Sequence, residues 1–224
     1  MQPETRSAAV PAEALLSFRD SKYHIGFMHR TPVKCIPSDV VLAAVTHARF
    51  MHVDMLFVPP SGTEQDVDIM KQLFSAYMGE SFCAYTPQKW TERDNSSHAL
   101  LLLEVSEDEY YKARAYVCDL QVGKVPYNYV DLTLCALPNS MALTMAHDSP
   151  PYPLPKTVYC SQAAILMLRH AMSPSRKNAA IIGSLSRVNA RACSPSMLYN
   201  ILAPHCTLAD VEAYVQFGVV ASMC

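Results

Sequence analysis

The sequence predicts an α+β domain. A strand, a hairpin and a further strand are indicated between residues 51 and 105, a well-capped helix follows them, and the last third of the chain reads as helices beyond a proline-rich connection. Strands grouped ahead of helices point to a small antiparallel sheet or partial barrel packed on a buried helix.

Residues 1–22 are rich in alanine and charge with weak periodicity, and read as an N-terminal arm or a short helix ahead of one domain over 23–224. The segment Met51-His52-Val53-Asp54-Met55-Leu56-Phe57-Val58 is stopped by Pro59-Pro60 and reads as a strand, with His52, Asp54 and Leu56 on one face by alternation. Between Val67 and Tyr77 the apolar spacing also fits a helix. Phe74–Tyr77 and Ser81–Thr86 around Met78-Gly79-Glu80 favour a hairpin. His98–Val105 carries four successive leucines, the mark of a strand buried on both faces, and so predicts a central strand.

Ser106 and Glu109 form the S-x-x-E capping box of a helix with Tyr110, Ala113, Tyr116, Val117 and Leu120 on its apolar face and Gly123 as its stop. Ser149–Pro155 is a rigid extended connection. The run 157–171 is apolar all round in its middle, which predicts a helix enclosed by the rest of the domain. Two short helices are predicted to close the chain, one from Ser194-Pro195 and one from a capping box at Thr207–Asp210.

Composition narrows the function classes. With 224 residues, half of them apolar and 17% charged, the chain supports one sizeable core. A net charge of −2 with no Lys/Arg run offers no field to hold a phosphate backbone, so nucleic acid is excluded as a first partner. No stretch approaches the roughly 20 apolar residues of a membrane span, and the first twenty residues lack the pattern of a signal peptide. The eight cysteines form no C-x-x-C pair and lie mostly in apolar segments, as free thiols do in a reducing compartment. A soluble, cytoplasmic protein is therefore expected. Ligand spacing for a structural zinc site is lacking, and no metal or cofactor is expected.

Cys160 stands apart from the other thiols because it falls where an extended segment gives way to a buried helix, whose N-terminus lowers a thiol's pKa and can hold an oxyanion. A thiolate nucleophile needs an imidazole within reach. His52 is the best placed, since a strand holds it rigidly, whereas His98, His147, His170 and His205 read as surface or capping residues. Taken singly, each member of the pair has an ordinary reading, Cys160 as a core thiol and His52 as a half-buried strand histidine.

Five pieces in order link them: Met51-His52-Val53-Asp54, Phe74-Ser75-Ala76-Tyr77, Gln121–Tyr129 with its G-K-x-P-Y-N core, Val158-Tyr159-Cys160-Ser161-Gln162 and Ser194–Tyr199. This series resembles the circularly permuted NlpC-type papain-like superfamily, which includes bacterial amidase-like proteins, poxvirus members and, more distantly, the lecithin:retinol acyltransferases. The resemblance spans residues 51 to about 202. It implies a permuted papain-like fold with histidine ahead of cysteine, Cys160 as nucleophile and His52 as base. The third, orienting group of that superfamily usually comes from the next strand, where Ser75 is the match by position, although serine orients more weakly than His, Glu or Asn. Asp54 shares the His52 face, but two positions along a strand is expected to be too far for a good bond to the ring.

The resemblance implies a thiol-dependent hydrolase, of peptidase, amidase or acyl-transfer type, acting on an acyl, amide or peptide substrate that includes lipids. It also makes a viral source plausible, in which case a virion-associated location would follow. The rival expectation is an inactive papain-like scaffold binding a lipid, acylated or protein partner. The weak third residue and the abundance of Met and Tyr, 12 of each, speak for it.

Overall fold

The computed structural model describes residues 21–32, 49–60, 72–76, 80–85, 98–128, 130, 154–175 and 178–211. The predicted arm up to residue 20, most of the proline-rich connection and the end of the chain lie outside them. Within them the chain is α+β, with six antiparallel strands and four α-helices.

In chain order these are β1 (Tyr23–Arg30), β2 (His52–Val58), β3 (Leu73–Ala76), β4 (Phe82–Tyr85), β5 (His98–Val105), α1 (Glu107–Val122), α2 (Cys160–Ala171), α3 (Ala179–Ser186), α4 (Pro195–Leu202) and β6 (Thr207–Ala209). The sheet order is β4-β3-β2-β1-β5-β6. β3 and β4 pair as the predicted hairpin.

The strand at the centre, β1, is one that the sequence pattern did not reveal. It pairs along its whole length with β2, from His24–Val58 to Arg30–His52, and with β5, from Tyr23–Val105 to Arg30–His98. Gly26 belongs there for space, since a Cβ on it would lie 2.5 Å from Leu56 Cγ on the partner strand.

Both faces of the sheet are covered. Ile25, Phe27, Val53, Met55, Phe57, Leu101 and Leu103 pack into the main core with α1 and α2, while Met28, Leu56, Val58, Leu73, Leu100 and Leu102 form a second buried cluster on the opposite face. This explains why β2 and β5 read as nearly continuous apolar runs.

The predicted capping box at Ser106 is present, with the Ser106 and Glu109 side chains exchanging bonds with each other's backbone. Glu109 does more than cap α1. Its Oε1 accepts from Ser173 N at 3.0 Å and from Asn178 Nδ2 at 2.7 Å, which ties the start of α1 to the exit of α2 and the N-cap of α3. The enclosed helix is α2, buried without a break from Cys160 to Leu168.

Two expectations need correction. Thr207–Ala209 is not a helix start. It is an edge strand pairing Leu100–Leu102, because the open side of β5 offers backbone groups that an extended segment satisfies at once. The predicted central place of β5 is also modified: among the described residues it lies one strand from the edge, paired there with the three residues of β6. The apolar 179–186 stretch forms α3, a helix absent from the sequence reading.

Candidate active site

The cysteine is placed by three distant pieces of chain. α1 ends at Gly123, and Lys124, at a φ of 46°, turns the chain sharply back. The Pro126–Asn128 segment then grips the strand-like approach to α2: Val158 N donates to Pro126 O and Asn128 N to Val158 O, each at 3.0 Å. The phenol of Tyr159 donates to the carbonyls of Ala190 and Cys193 at 2.9 and 3.2 Å, and the Ser161 hydroxyl donates to Cys193 O at 2.6 Å. Cys160 is thereby held as the first residue of α2.

Tyr159, the N-cap, has extended backbone and gives no side-chain cap. The first-turn N–H groups precede the intrahelical ladder, so the positive end of the helix lies at the sulfur. An oxyanion formed on a carbonyl attacked by Cys160 would meet that same field.

His52 opens β2 and is 6% exposed, and Asp54 is fully buried. The two side chains meet, with His52 Nε2 2.8 Å from Asp54 Oδ1. The ring leans along the strand, and this is why a residue two positions on, roughly 6.7 Å away at the backbone, is in reach after all. Ser75 Oγ lies 3.2 Å from the same Nε2 and donates to Val53 O at 3.0 Å. Nε2 is thus turned to Asp54 and Ser75. The Cys160 side chain lies close enough to the ring for each group to act electrostatically on the other.

Electrostatics inside the cluster favours an ion pair. Burial works against a charged His52, but the Asp54 carboxylate and the Cys160 sulfur beside it prevail and raise its pKa to about 10. Burial likewise resists a thiolate at Cys160. The imidazolium of His52 and a backbone hydrogen bond from Val53 nonetheless hold the thiol below its ordinary value, against the opposing Asp54 charge. The arrangement brings a thiol, an imidazole and a carboxylate together, with the charged form of the first two favoured by their neighbours.

The three sequence-derived candidates, Cys160, His52 and Ser75, therefore lie together, and Asp54 joins them. Of the other histidines, His170 stacks on Tyr116, His205 sits in a short 3₁₀ turn, His98 opens β5, and His147 lies outside the described residues. His29, which the sequence reading passed over, is buried between Phe50 and Tyr199, with ring centroids 5.3 and 5.2 Å away. Burial drives its pKa down to about 3. The available signal was its alternation with Ile25 and Phe27.

Among the described residues no group of three or more His, Cys, Asp or Glu side chains could hold a metal ion, and no helix is long and apolar enough to cross a membrane. Comparisons with protein-family models, curated proteins and solved structures found no match.

Proposed function

We propose that this chain is a thiol-dependent acyl hydrolase or acyltransferase working through Cys160 and His52. One observation carries the reading: a thiol at the start of a buried helix lies beside an imidazole whose Nε2 is 2.8 Å from a buried carboxylate. The order of the parts supports it too, since the histidine strand precedes the cysteine helix as in the permuted papain-like architecture that the sequence resembles.

In the reaction proposed, the Cys160 thiolate attacks an acyl carbonyl and a C–S bond forms. The oxyanion is stabilised by backbone N–H groups at the start of α2. The imidazolium of His52 gives its proton to the departing amine or alcohol as the carbonyl re-forms. Water, or another acceptor, then attacks the thioester while His52 takes its proton, and the thiolate leaves. Amide, peptide and acyl-lipid substrates share this chemistry. The free state of every described cysteine suits a reducing compartment for it.

The pH dependence of iodoacetamide labelling, followed by mass spectrometry on wild type and His52→Ala, tests the reading. Cys160 should label fastest near neutral pH and lose that advantage without His52. Labelling no faster than at Cys83 or Cys118 in both proteins would remove it.

A second reading, an inactive scaffold for a lipid, acylated or protein partner, is favoured by one feature. Cys160 is 2% exposed, so the sulfur is nearly closed to solvent.

A further inference from the structure

A thiol–imidazole pair works only if something holds the ring's far nitrogen, and two groups compete for that role. We infer that Asp54, on the histidine's own strand, is the positioning residue of this site, and that Ser75 is a strut that holds the adjoining strand against it. The inference rests on the thiol–imidazole reading given above.

Proton counting separates the two groups. Ser75 has a single hydroxyl proton, and it goes to Val53 O at 3.0 Å. Toward His52 the serine can then only accept. Asp54 Oδ1 also accepts, so both oxygens share the one Nε2–H, the carboxylate at 2.8 Å and the hydroxyl at 3.2 Å. The shorter contact is also the charge-assisted one, roughly twice as strong as a neutral bond.

Burial sharpens the difference. Asp54 is fully buried, and a carboxylate taken out of water needs a cationic partner to remain ionised. His52 is that partner, so carboxylate and imidazolium each stabilise the charge of the other. Fixing the proton on Nε2 also fixes which nitrogen serves the sulfur.

Placement on the same strand adds rigidity. β2 and β3 are in register through Met55 and Phe74, a narrow seam, whereas β2 is paired with β1 over seven positions. A positioning group on β3 would follow any shift of that seam. One on β2 moves with the histidine, and Asp54 is further set by its neighbour Met28 across the β1 side.

The test compares wild type, Asp54→Asn, Ser75→Ala and His52→Ala by two readouts: the pH profile of Cys160 alkylation, and nitrogen-15 spectra of the His52 ring. Asparagine keeps an acceptor oxygen but removes the charge. In Asp54→Asn the alkaline limit of fast alkylation should fall by about 1 to 3 pH units, the span that a neighbouring opposite charge commands. Ser75→Ala should leave that limit in place, with a rate within about threefold of wild type. An unchanged profile in Asp54→Asn, or a shift in Ser75→Ala alone, overturns the inference while the His52 dependence of Cys160 still upholds the underlying pair. Loss of fast, His52-dependent alkylation in wild type itself sinks the pair instead.

Should Asp54→Asn fail to fold, the wild-type spectra decide. A hydrogen-bonded Nε2 proton that persists from pH 5 to 9, and does so in Ser75→Ala, is the expected result. Its absence rejects the assignment.

Discussion

The Ser161 hydroxyl reaches across to the carbonyl of Cys193 at 2.6 Å, so the residue beside Cys160 is pinned to a turn more than thirty positions away. The phenol of Tyr159 meets the same carbonyl from the other side of the cysteine. The thiol is thus flanked by two anchors on one fixed point.

Removing either anchor should loosen the start of α2 without changing its charges. Ser161→Ala is expected to cost about 1 kcal/mol, because Tyr159 still satisfies the Cys193 carbonyl, and Tyr159→Phe about 2 kcal/mol, because the Ala190 carbonyl is left without its phenol. Urea denaturation measures both. Cys160 alkylation should slow in each variant while the alkaline limit of its profile stays put.

The Cys160–His52 pair should make stability depend on pH through two opposing contributions. His52, raised from 6.5 to about 10, contributes stability that is fully present below 6.5 and is lost as pH rises through 10. Cys160, lowered from 9.0, contributes stability that is present above 9.0 and is lost as pH falls through its folded value. The His52 share should therefore decline as pH rises from 6.5 toward 10, opposed by a Cys160 share that grows as pH rises toward 9.0. In Cys160→Ala only the His52 share remains, so the variant's stability should decline as pH rises above 6.5, visible in urea midpoints across the range.

His29 should make the wild-type protein sensitive to acid. Its folded pKa of about 3, against 6.5 unfolded, means that only the unfolded chain takes up this proton in between, so stability falls as pH drops through that window. His29→Leu removes this uptake. At neutral pH the replacement should cost less than about 1.5 kcal/mol, being apolar and of similar volume, and below pH 5 the variant should lose less stability than wild type. Thermal melts at pH 7 and pH 4.5 compare them.

Glu109→Ala should destabilise more than any of these, by about 3 kcal/mol, since one carboxylate caps α1 and accepts from Ser173 and Asn178. It stands apart from the proposed chemistry. The alkylation profile of Cys160 should keep its shape wherever the variant is folded.

How much of this was legible in the sequence differed by scale. Local signals gave the capped helix at Ser106, the strand stopped by Pro59, the β3–β4 hairpin and the helix beginning at Ser194, because each depends on neighbours in the chain. β1 escaped because Gly26, Met28 and two histidines dilute its β character, and its burial comes from strands on both sides of it. Thr207–Ala209 misled for the converse reason: its local pattern suits a helix start, and only the open side of β5 makes it a strand.

For the site, the sequence brought Cys160, His52 and Ser75 into consideration. It undervalued Asp54 because alternation tells which face a side chain takes, not how far a ring leans along it. His29 stayed out of view, since its meaning depends on Phe50 and Tyr199, which only the folded chain brings around it.

The joining of a strand laid down early to a helix laid down roughly a hundred residues later bears on the life of the chain during synthesis. While the nascent protein is still lengthening, the cysteine has not yet met its imidazole, and the histidine emerges well before the sulfur exists. Under the proposed function, an incomplete chain would carry only an ordinary thiol, so reactivity would arrive with the closing of the fold and vanish with its opening. The thiol would then serve as a built-in reporter of whether a given molecule has finished folding.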